Sequence, residues 1–518
     1  MKSYEAPQQA VVAFLSEPQT YDLSDGDVEV IETHISRVFL AGERALKMKR
    51  AVKFPYLDFT SLESRRHACE AEVVVNRRTA PQIYRGTIAV TRERDGQLAL
   101  GGNGPVIEWL VDMNRFDQAG LFDHLVQEGK MRRHPMIDLA DHIAAFHDAA
   151  EVRYGNGGAA GTGIIIDNII SSFRDTGSML EASKIDDWSA ISSDALNAHR
   201  EILDARRQAG RVRHCHGDMH LRNICMIDGK PVLFDGIEFN ADFSEIDTLY
   251  DLAFLLMDLD SRGHRRLANV SMNRYFDVTG EVAEMPGAMA VLPLFLSMRA
   301  AVRAHVDATQ AMQFERAGIS DERRIAAVHY LDMAIEYLRP EPARLVAVGG
   351  LSGGGKSRMA RELAPYLGAA PGARVVRTDA VRKRIAGVQQ ETRLGSEGYT
   401  DDMHERTYTA FYEEARLALE QGQAVVADAV FPSQVQRMAI ETFAAEAEIP
   451  FHGLWIEAAE EVRVGRVKAR QRNISDVTEE IAREQSGYDL GEITWTRVDS
   501  AGPKDATIAR GKHALGIT

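Results

Sequence analysis

The sequence predicts two domains of different fold class: an α+β domain with two lobes over residues 1–340, then an α/β domain with a parallel sheet over residues 343–518. Three observations lead to this prediction. Short strand-like runs fill the first 100 residues, whereas helical periodicity dominates from residue 137. Pro340 and Pro342 interrupt the chain just after a helical segment. Beyond residue 345, strand-like and helical runs alternate, which is typical of a parallel sheet covered by helices.

The composition is that of a globular protein with an excess of acidic residues. The 518 residues are 45% hydrophobic and 26% charged, with a formal net charge of -15 and a mean hydropathy of -0.24. No run approaches the roughly 18 apolar residues of a membrane span, and the N-terminus does not have the pattern of a signal peptide. Cys69, Cys215 and Cys225 have neither disulfide nor zinc spacing. We therefore expect a cytoplasmic protein without a membrane partner.

The N-terminal lobe is predicted to consist of short strands and one helix. The strand-like runs cover residues 28–32, 37–40, 45–49, 88–92 and 106–110, and the helical run covers residues 61–78. Further along, the Gly-rich run at residues 154–163 has no strand before it. We predict a flexible loop there, not a phosphate cradle.

The first motif that carries chemistry is HGDMHLRN, from His216 to Asn223. Asp218 and Asn223 are five residues apart, the spacing of the catalytic Asp and the metal-binding Asn in protein kinases. A hairpin with an Asp-Gly turn is predicted to follow and to bring Asp235 beside Asn223. Asp218 would accept the proton of a substrate hydroxyl, and Asn223 and Asp235 would bind Mg²⁺.

This pattern resembles the aminoglycoside phosphotransferase and choline kinase-like superfamily, and in particular its predicted kinases that are fused to a P-loop domain. The resemblance covers much of residues 25–340 and implies a bilobal, protein kinase-like fold. It implies that Lys47 holds the ATP phosphates and that Glu72 is its helix partner, with Lys49 and Glu70 as the competing choices. It also implies a hinge beneath the adenine at residues 106–113. The loop at residues 33–36, which should cover the phosphates, lacks the expected glycines.

Other interpretations of the same residues stay open at this point. His214, His216 and His220 could form a metal cluster, although the Asp and Asn spacing favours a kinase loop with His216 in a structural role. Four carboxylates have two possible roles: they could form an acidic rim for a cationic substrate, or they could simply cap helices. These are Asp242, Glu245, Asp247 and Asp251.

The second motif is GLSGGGKS, which matches the P-loop pattern GxxxxGK[ST] in full, between a predicted strand and a predicted helix. Lys356 would reach the β- and γ-phosphates and Ser357 would hold Mg²⁺. A later strand ends at Asp428, which resembles the metal-binding Asp of a Walker B element. The residues predicted to bind the nucleotide are Gly350, Ser352, Gly353, Gly354, Gly355, Lys356 and Ser357.

Residues 345 to about 500 resemble the gluconate kinase-like and zeta toxin-like group of P-loop kinases. The resemblance implies that Asp379 is the catalytic base and that Arg382 grips the acceptor or the migrating phosphoryl group. Arg463, Arg466 and Arg470 recur at helical spacing. We expect a mobile lid in which Arg466 is catalytic and the other two bind ATP, and a solvated basic helix face is the alternative.

Together these patterns predict a bifunctional kinase that uses ATP and Mg²⁺ to phosphorylate hydroxyl groups of small molecules. One alternative makes the P-loop half a 5′-OH polynucleotide kinase. The near-neutral charge of that half argues mildly against nucleic acid as a partner. In the other alternative one domain binds a nucleotide and regulates its neighbour without transferring phosphate. Neither the acceptors nor the oligomeric state follows from the sequence.

Overall fold

The computed structural model describes residues 8–24, 26–54, 57–285, 287–315, 321–469 and 478–517. The helices are, in chain order, α1 (Gln9–Leu15), α2 (Leu62–Asn76), α3 (Phe122–Gln127), α4 (Arg133–Ala149), α5 (Gly158–Arg174), α6 (Ala182–Ala198), α7 (Arg200–Gln208), α8 (Ala241–Ser244), α9 (Thr248–Ser261), α10 (Arg265–Thr279), α11 (Glu281–Glu284), α12 (Ala288–Glu315), α13 (Asp321–Tyr337), α14 (Lys356–Leu363), α15 (Thr378–Ile385), α16 (Asp401–Glu420), α17 (Gln434–Glu446), α18 (Glu460–Lys468), α19 (Glu479–Glu484) and α20 (Lys504–Ala514).

The strands are, in chain order, β1 (Glu29–Glu32), β2 (Ser36–Ala41), β3 (Arg44–Lys49), β4 (Lys53–Phe54), β5 (Leu57–Asp58), β6 (Tyr84–Arg92), β7 (Leu98–Leu100), β8 (Val106–Asn114), β9 (Val212–His214), β10 (Ile224–Ile227), β11 (Lys230–Leu233), β12 (Glu245–Asp247), β13 (Leu345–Gly349), β14 (Arg374–Arg377), β15 (Val425–Asp428), β16 (Phe451–Glu457) and β17 (Thr496–Asp499). The chain divides into two compact units. The first comprises Met1–Gly157 and Arg207–Leu255, and the second comprises Gly158–Arg206 and Leu256–Thr518.

The first unit contains an antiparallel sheet in the order β1-β2-β3-β8-β6-β7. Side chains alternate between its two faces, so each face can be covered by a different helix. Cys69 and Val73 of α2 pack on one face, and Val11 and Leu15 of α1 pack on the other. Ser61 caps α2 by accepting a hydrogen bond from the Ser64 amide at 3.0 Å. The strand-rich lobe with one helix after β5 is therefore as predicted.

The predicted hairpin after the first motif is formed by β10 and β11. Asp228 and Gly229 at its turn both have positive φ, 50° and 73°. Such a turn matches the right-handed twist of the two strands, and an Asp-Gly pair is favoured in it because both positions need positive φ.

The second unit joins a helical bundle to a parallel sheet. Its buried helices include α12, and the window Ala288–Met312 is long and apolar enough to span a membrane by length and composition. Of the window, 67% is buried inside the fold, and Trp188 of α6 donates to Ser297 of α12 at 2.9 Å. The apolar surface of α12 is thus used for packing between helices.

The parallel sheet of the second unit has the order β14-β15-β13-β16-β17. Its strands β13 and β15 are nearly continuous apolar runs and are buried throughout, as is typical of parallel strands that are covered on both faces. Val346 and Val348 of β13 pack with Met359 and Leu363 of α14 in the core. The antiparallel and parallel sheets agree with the predicted fold class.

One prediction about the chain before this sheet was wrong. The Gly-rich run at residues 154–163 was predicted to be a loop, but α5 begins at Gly158. The carboxylate of Asp204 accepts the amide of Ala159 at 3.0 Å and so satisfies a donor of the first helical turn. That cap comes from a distant part of the chain, which local composition does not indicate.

The compact units do not coincide with the predicted domains at residues 1–340 and 343–518. Pro340 and Pro342 are exposed, as expected of a junction, but α10, which precedes them, packs against β14 of the parallel sheet. Asn269 and Asn273 donate to the Ala373 carbonyl at 3.0 and 3.1 Å. Residues that we assigned to the first domain therefore belong to the same compact unit as the P-loop.

A buried ion-pair network holds this contact together. Arg374 of β14 pairs with Asp277 of α10 at 2.5 Å and with Glu414 of α16 at 2.6 Å. Its guanidinium also donates to the backbone and side-chain oxygens of Asn273 at 3.1 and 3.0 Å. Burial opposes ionisation of Asp277, but Arg374 and Arg377 outweigh it and lower the pKa of this carboxyl to about 2.

We predict that Arg374→Met strongly destabilises the second unit. Removing one partner of a buried pair leaves its carboxylates undercompensated, which costs about 3–5 kcal/mol. Urea unfolding followed by tryptophan fluorescence measures this, because Trp455 and Trp495 are buried in the same unit. The matched control is Arg416→Met on α16, where the exposed ion pairs should contribute little. Equal unfolding midpoints for the two variants would contradict the prediction.

Candidate active sites

The first candidate site is built around Lys47 of β3. Its ammonium group pairs with Glu72 of α2 at 2.8 Å and with Asp235, after β11, at 2.5 Å. Burial alone would lower the pKa of Lys47, but Asp235 and Glu72 outweigh it and raise that pKa well above its usual value. The charged amine is therefore held between a helix carboxylate and the carboxylate that we predicted to bind metal.

Lys49 lies two residues further along β3, on the same face of the strand. It pairs with Glu72 and with Glu238, each at 2.5 Å, and is almost fully buried. Only Lys47 of the two is also paired with Asp235, so the geometry favours Lys47 over Lys49 as the phosphate-binding lysine. Glu70, the competing helix carboxylate, pairs instead with Arg66 on the surface of α2.

The loop of the first motif brings Asp218 and Asn223 into direct contact. The Asn223 amide nitrogen donates to the backbone oxygen and to a carboxylate oxygen of Asp218, each at 2.9 Å. Asn223 ends the loop at the start of β10, and its carbonyl accepts the amide of Phe234 at 3.0 Å, one residue before Asp235. The hairpin thus brings Asn223 and Asp235 to one end, and their amide and carboxylate oxygens suit Mg²⁺.

The loop is held by Asp251 of α9, which sequence reasoning did not single out for this role. One Asp251 carboxylate oxygen accepts the amide of Gly217, and the other accepts the amide of His216, both at 2.9 Å. His147 of α4 lies 3.2 Å from the second oxygen. Gly217 has φ +85°, and a Cβ there would lie 2.7 Å from the Phe243 carbonyl. Asp251 is therefore a positioning residue for Asp218.

His216 has the structural role that was predicted for it. Its Nε2 donates to the Phe234 carbonyl at 3.0 Å, and its Nδ1 accepts the Asp218 amide at 3.3 Å. Complete burial lowers the pKa of the ring, so His216 is held neutral. In this tautomer it links the loop to the hairpin that carries Asp235.

The structure does not support the histidine cluster that was the alternative. Within the described ranges, the one group of three donors with metal-ligand spacing is His147, Cys215 and Asp251. Three of the four carboxylates of the proposed acidic rim are also engaged elsewhere. Glu245 pairs with Arg153 at 2.8 Å, Asp247 caps α9 through the Leu249 amide, and Asp251 holds the loop.

The predicted hinge of the N-terminal lobe differs from expectation. Residues 106–113 were expected to form the hinge, but they lie within β8, which pairs on both sides. A hinge that follows this strand can begin only after Asn114, where β8 ends. The loop at residues 33–36 is closed without glycine, since the Thr33 hydroxyl accepts the Ser36 amide at 3.0 Å. Burial and the charge of Arg50 lower the pKa of His34, and Asp218 of the first motif partly opposes this lowering.

The second candidate site is the loop between β13 and α14. Three of its glycines have positive φ: 132° at Gly350, 84° at Gly353 and 104° at Gly355. A Cβ on Gly353 would lie 2.4 Å from the Arg463 carbonyl, so the loop has no room for a side chain there. The first turn of α14 has no side-chain cap. This helix N-terminus, with Lys356 at the first helical position, fits a nucleotide phosphate.

Asp428 and Asp379 follow strands that neighbour the P-loop strand. Asp428 ends β15 and is in register with Val348 on one side and with Arg377 on the other. Asp379 comes two residues after Arg377, at the start of α15. Because the carboxyl ends of parallel strands meet at one edge of the sheet, both carboxylates lie at the same edge as the P-loop. This arrangement suits a metal ligand and a base respectively.

Arg382 lies one turn after Asp379 on α15 and is largely buried. Its guanidinium stacks on the Tyr399 ring at 4.9 Å and donates to the Gly398 carbonyl at 3.1 Å. Its Nε is buried and makes no hydrogen bond within the described part of the chain.

The predicted arginine lid is placed differently. Arg463 is buried and donates to the carbonyls of Ser352 at 3.2 Å and Ala482 at 3.0 Å. Arg466 donates to the Gly354 carbonyl at 3.3 Å and to the Ser500 carbonyl at 2.5 Å. Both arginines of α18 thus hold the backbone of the P-loop, and neither is exposed as a lid residue would be. Arg470 lies outside the described residues.

Comparison with known proteins identifies two kinds of relative. Residues 345–488 match the family described as AAA domain. An uncharacterized protein of Mycobacterium tuberculosis, Rv2004c, is 27% identical over 496 residues, which are 94% of this chain and 95% of the relative. A gluconokinase from Sinorhizobium meliloti 1021 is similar over 34% of this chain and 92% of its own, with 23% identity and a TM-score of 0.25. A choline/ethanolamine kinase family protein from Mesorhizobium loti is similar over 64% of this chain and 99% of its own, with 12% identity and a TM-score of 0.38.

The structural neighbours are kinases of the two kinds that the motifs resemble. The predicted P-loop domain is confirmed by the family match at residues 345–488.

We predict that Asp218→Asn removes phosphoryl transfer at the first site and spares ATP binding, because a lost general base costs about 10²- to 10⁴-fold in rate. Asp235→Ala should instead weaken Mg·ATP binding, since it removes a metal ligand. Titration with a fluorescent ATP analogue, followed by turnover, separates the two effects. Asp242→Asn, an exposed carboxylate near the same loop, is the control. Near-wild-type turnover of Asp218→Asn would refute the role of this residue.

The pH dependence of stability should show that Glu72 is the carboxylate of α2 that pairs with the lysines of β3. Burial works to raise the pKa of Glu72, but Lys47 and Lys49 outweigh it and lower that pKa from 4.5 to about 2. A depressed carboxyl pKa stabilises the fold above the unfolded pKa and loses that effect as the pH falls. The unfolding free energy should thus fall between pH 4.5 and 2, and less steeply in Glu72→Gln. The control, Glu70→Gln on the same helix, should keep the wild-type slope.

Proposed function

We propose that this chain is an ATP- and Mg²⁺-dependent phosphotransferase with two nucleotide sites. Each site would transfer the γ-phosphoryl group of ATP to a hydroxyl group of a small molecule, such as a sugar or an aminosugar. The kinase-like folds of both halves support phosphotransfer in general. The two separate nucleotide sites and the class of acceptor are our proposal.

The single observation that carries the proposal is the arrangement of five residues in the first unit. Lys47 pairs with Glu72 and Asp235, while Asn223, at the start of the hairpin that leads to Asp235, is hydrogen-bonded to Asp218. This set combines a fixed cation, two metal donors and a carboxylate that can accept a proton. Phosphoryl transfer needs positioning and charge neutralisation, which such a set supplies.

At the first site each residue would have a separate task. Bound Mg·ATP supplies the phosphoryl group and a cation that offsets the charge on it. Lys47 would contact the phosphates, and Glu72 keeps the lysine in place. Asn223 and Asp235 would hold the metal. Asp218, whose side chain is 34% exposed, is open to an acceptor hydroxyl and would take its proton.

At the second site the backbone would do most of the phosphate binding. Amide groups from Gly353 to Ser357 would surround the β- and γ-phosphates, with Lys356 adding a positive charge and Ser357 and Asp428 holding the metal. Arg463 and Arg466 support this loop from its carbonyl side. Asp379 would accept the proton of the acceptor, and Arg382 would bind the acceptor or the transferred group.

The experiment that tests the proposal follows ATP consumption with a panel of acceptors in two single-site variants. Asp218→Asn isolates the second site and Lys356→Ala isolates the first. The panel holds sugars, aminosugars, nucleosides and 5′-OH oligonucleotides. A preference for oligonucleotides would favour a polynucleotide kinase. ATP binding without any acceptor-dependent turnover would favour a nucleotide-dependent switch.

We predict that Lys356→Ala removes ATP binding at the P-loop, because this lysine carries the only positive charge in GLSGGGKS. Asp379→Asn should retain binding and lower acceptor-dependent transfer by about 10²- to 10⁴-fold. Both are measured in a background of Asp218→Asn with Asp235→Ala, which weakens ATP binding at the first site, by nucleotide titration and then by turnover. Lys468→Ala, at an exposed position of α18, is the control. Full transfer by Asp379→Asn would make Asp428 the better candidate for the base.

A further inference from the structure

One face of α10 is polar, although the helix is buried. Asn269, Asn273 and Asp277 follow one another at intervals of four residues, so they lie on the same side of the helix. All three are buried, and all three bond to the segment from Ala373 to Arg377. Asn273 also accepts the Val375 amide at 2.7 Å. β14 is an edge strand of the parallel sheet, and these side chains satisfy backbone groups that such an edge leaves unpaired.

Asp277 holds both ends of β14. One carboxylate oxygen pairs with Arg374 at the first position of the strand at 2.5 Å. The other pairs with Arg377 at the last position at 2.6 Å. The chain then enters α15 directly, and Asp379 is only two residues beyond Arg377. The position of the candidate base is therefore set by a strand whose two arginines share a single carboxylate.

The far end of α15 is fixed by the same network. Arg384 pairs with Glu414 of α16 at 2.6 Å, and Glu414 also pairs with Arg374 at 2.6 Å. The segment that carries Asp379 and Arg382 is thus held on both sides through one connected set of charges. Buried groups in such a set have little freedom, because each unpaired charge would be costly to bury.

We propose that Asp277 is a positioning residue of the P-loop site, acting on Asp379 through Arg377. This inference rests on the proposed function of that site. It means that α10, from the part of the chain that we assigned to the first kinase, is a component of the second. The acceptor-binding edge of the P-loop enzyme is complete only when this helix is present.

The test uses the full chain in a background of Asp218→Asn with Asp235→Ala, which silences the first site. Three quantities are measured: ATP affinity, Lys356-dependent consumption of Mg·ATP with water and with the acceptor panel, and hydrogen exchange of residues 374–385. Asp277→Asn keeps the shape of the side chain and removes its charge. We expect kcat to fall roughly ten- to hundredfold, as for small misplacements of a reacting group, with ATP affinity within about threefold and with faster exchange in 374–385.

The controls separate positioning from general loss of stability. Arg266→Gln removes an exposed ion pair between α10 and Glu362 of α14 and should leave kcat unchanged. Asp379→Asn sets the kcat expected when the base itself is lost. Arg377→Gln should also lower kcat, and adding it to Asp277→Asn should slow the enzyme no further, because Asp277→Asn already breaks the contact with Arg377 as well as the one with Arg374.

Each outcome decides the proposal. If the kcat of Asp277→Asn is within about twofold of the background value, the proposal is overturned, even if hydrogen exchange becomes faster. It is also overturned if the effects of the two single variants on kcat are additive in the double variant. If Asp277→Asn does not fold, Arg377→Gln alone decides by the same twofold criterion. If the background chain shows no ATP consumption that depends on Lys356, either with water or with any member of the acceptor panel, the proposed function of the P-loop half fails, and this inference fails with it.

Discussion

A buried guanidinium group is costly unless carboxylates pair with its charge, and the second unit is arranged around this requirement at Arg374. Two carboxylates and an amide from two helices converge on it. Because the ligands come from α10 and α16, the edge strand β14 cannot move without uncovering a charge. The parallel sheet thereby gains a helix at its open edge, and the helical bundle becomes part of the same compact unit. The exposed, proline-rich junction at residues 340–342 therefore does not separate α10 from the parallel sheet, because this network joins them.

The two candidate sites solve the same electrostatic problem in different ways. In the first unit, side chains carry all the charge, and Lys47 already has carboxylate partners. Binding of Mg·ATP there would exchange one set of ion pairs for another. At the P-loop, backbone amide groups and one lysine would carry the interaction, so the loop needs support instead of counter-charges. Arg463 and Arg466 give that support by binding the carbonyls of Ser352 and Gly354.

Residues that support a site were harder to predict than residues that form it. Asp218, Asn223, Asp235 and Lys356 belong to short motifs whose spacing indicates their chemistry. Asp251 has no such motif, and only its position beneath the loop shows that it holds His216 and Gly217. The arginines of α18 were predicted to face the nucleotide because helical spacing places them on one side. Helical spacing predicts which residues share one side of a helix, but it does not predict which groups their side chains contact.

The sequence by itself determined the two motifs, the strands and helices around them, and the fold class of each half, since these depend on local periodicity and on turn residues such as Asp228 and Gly229. It also indicated an exposed junction at Pro340 and Pro342. Only the tertiary structure decided which helices belong with which sheet, where α5 begins, and which of Lys47 and Lys49 reaches Asp235. The physical reason is that each of these depends on a buried polar contact between residues far apart in the chain, and no local pattern records such a contact.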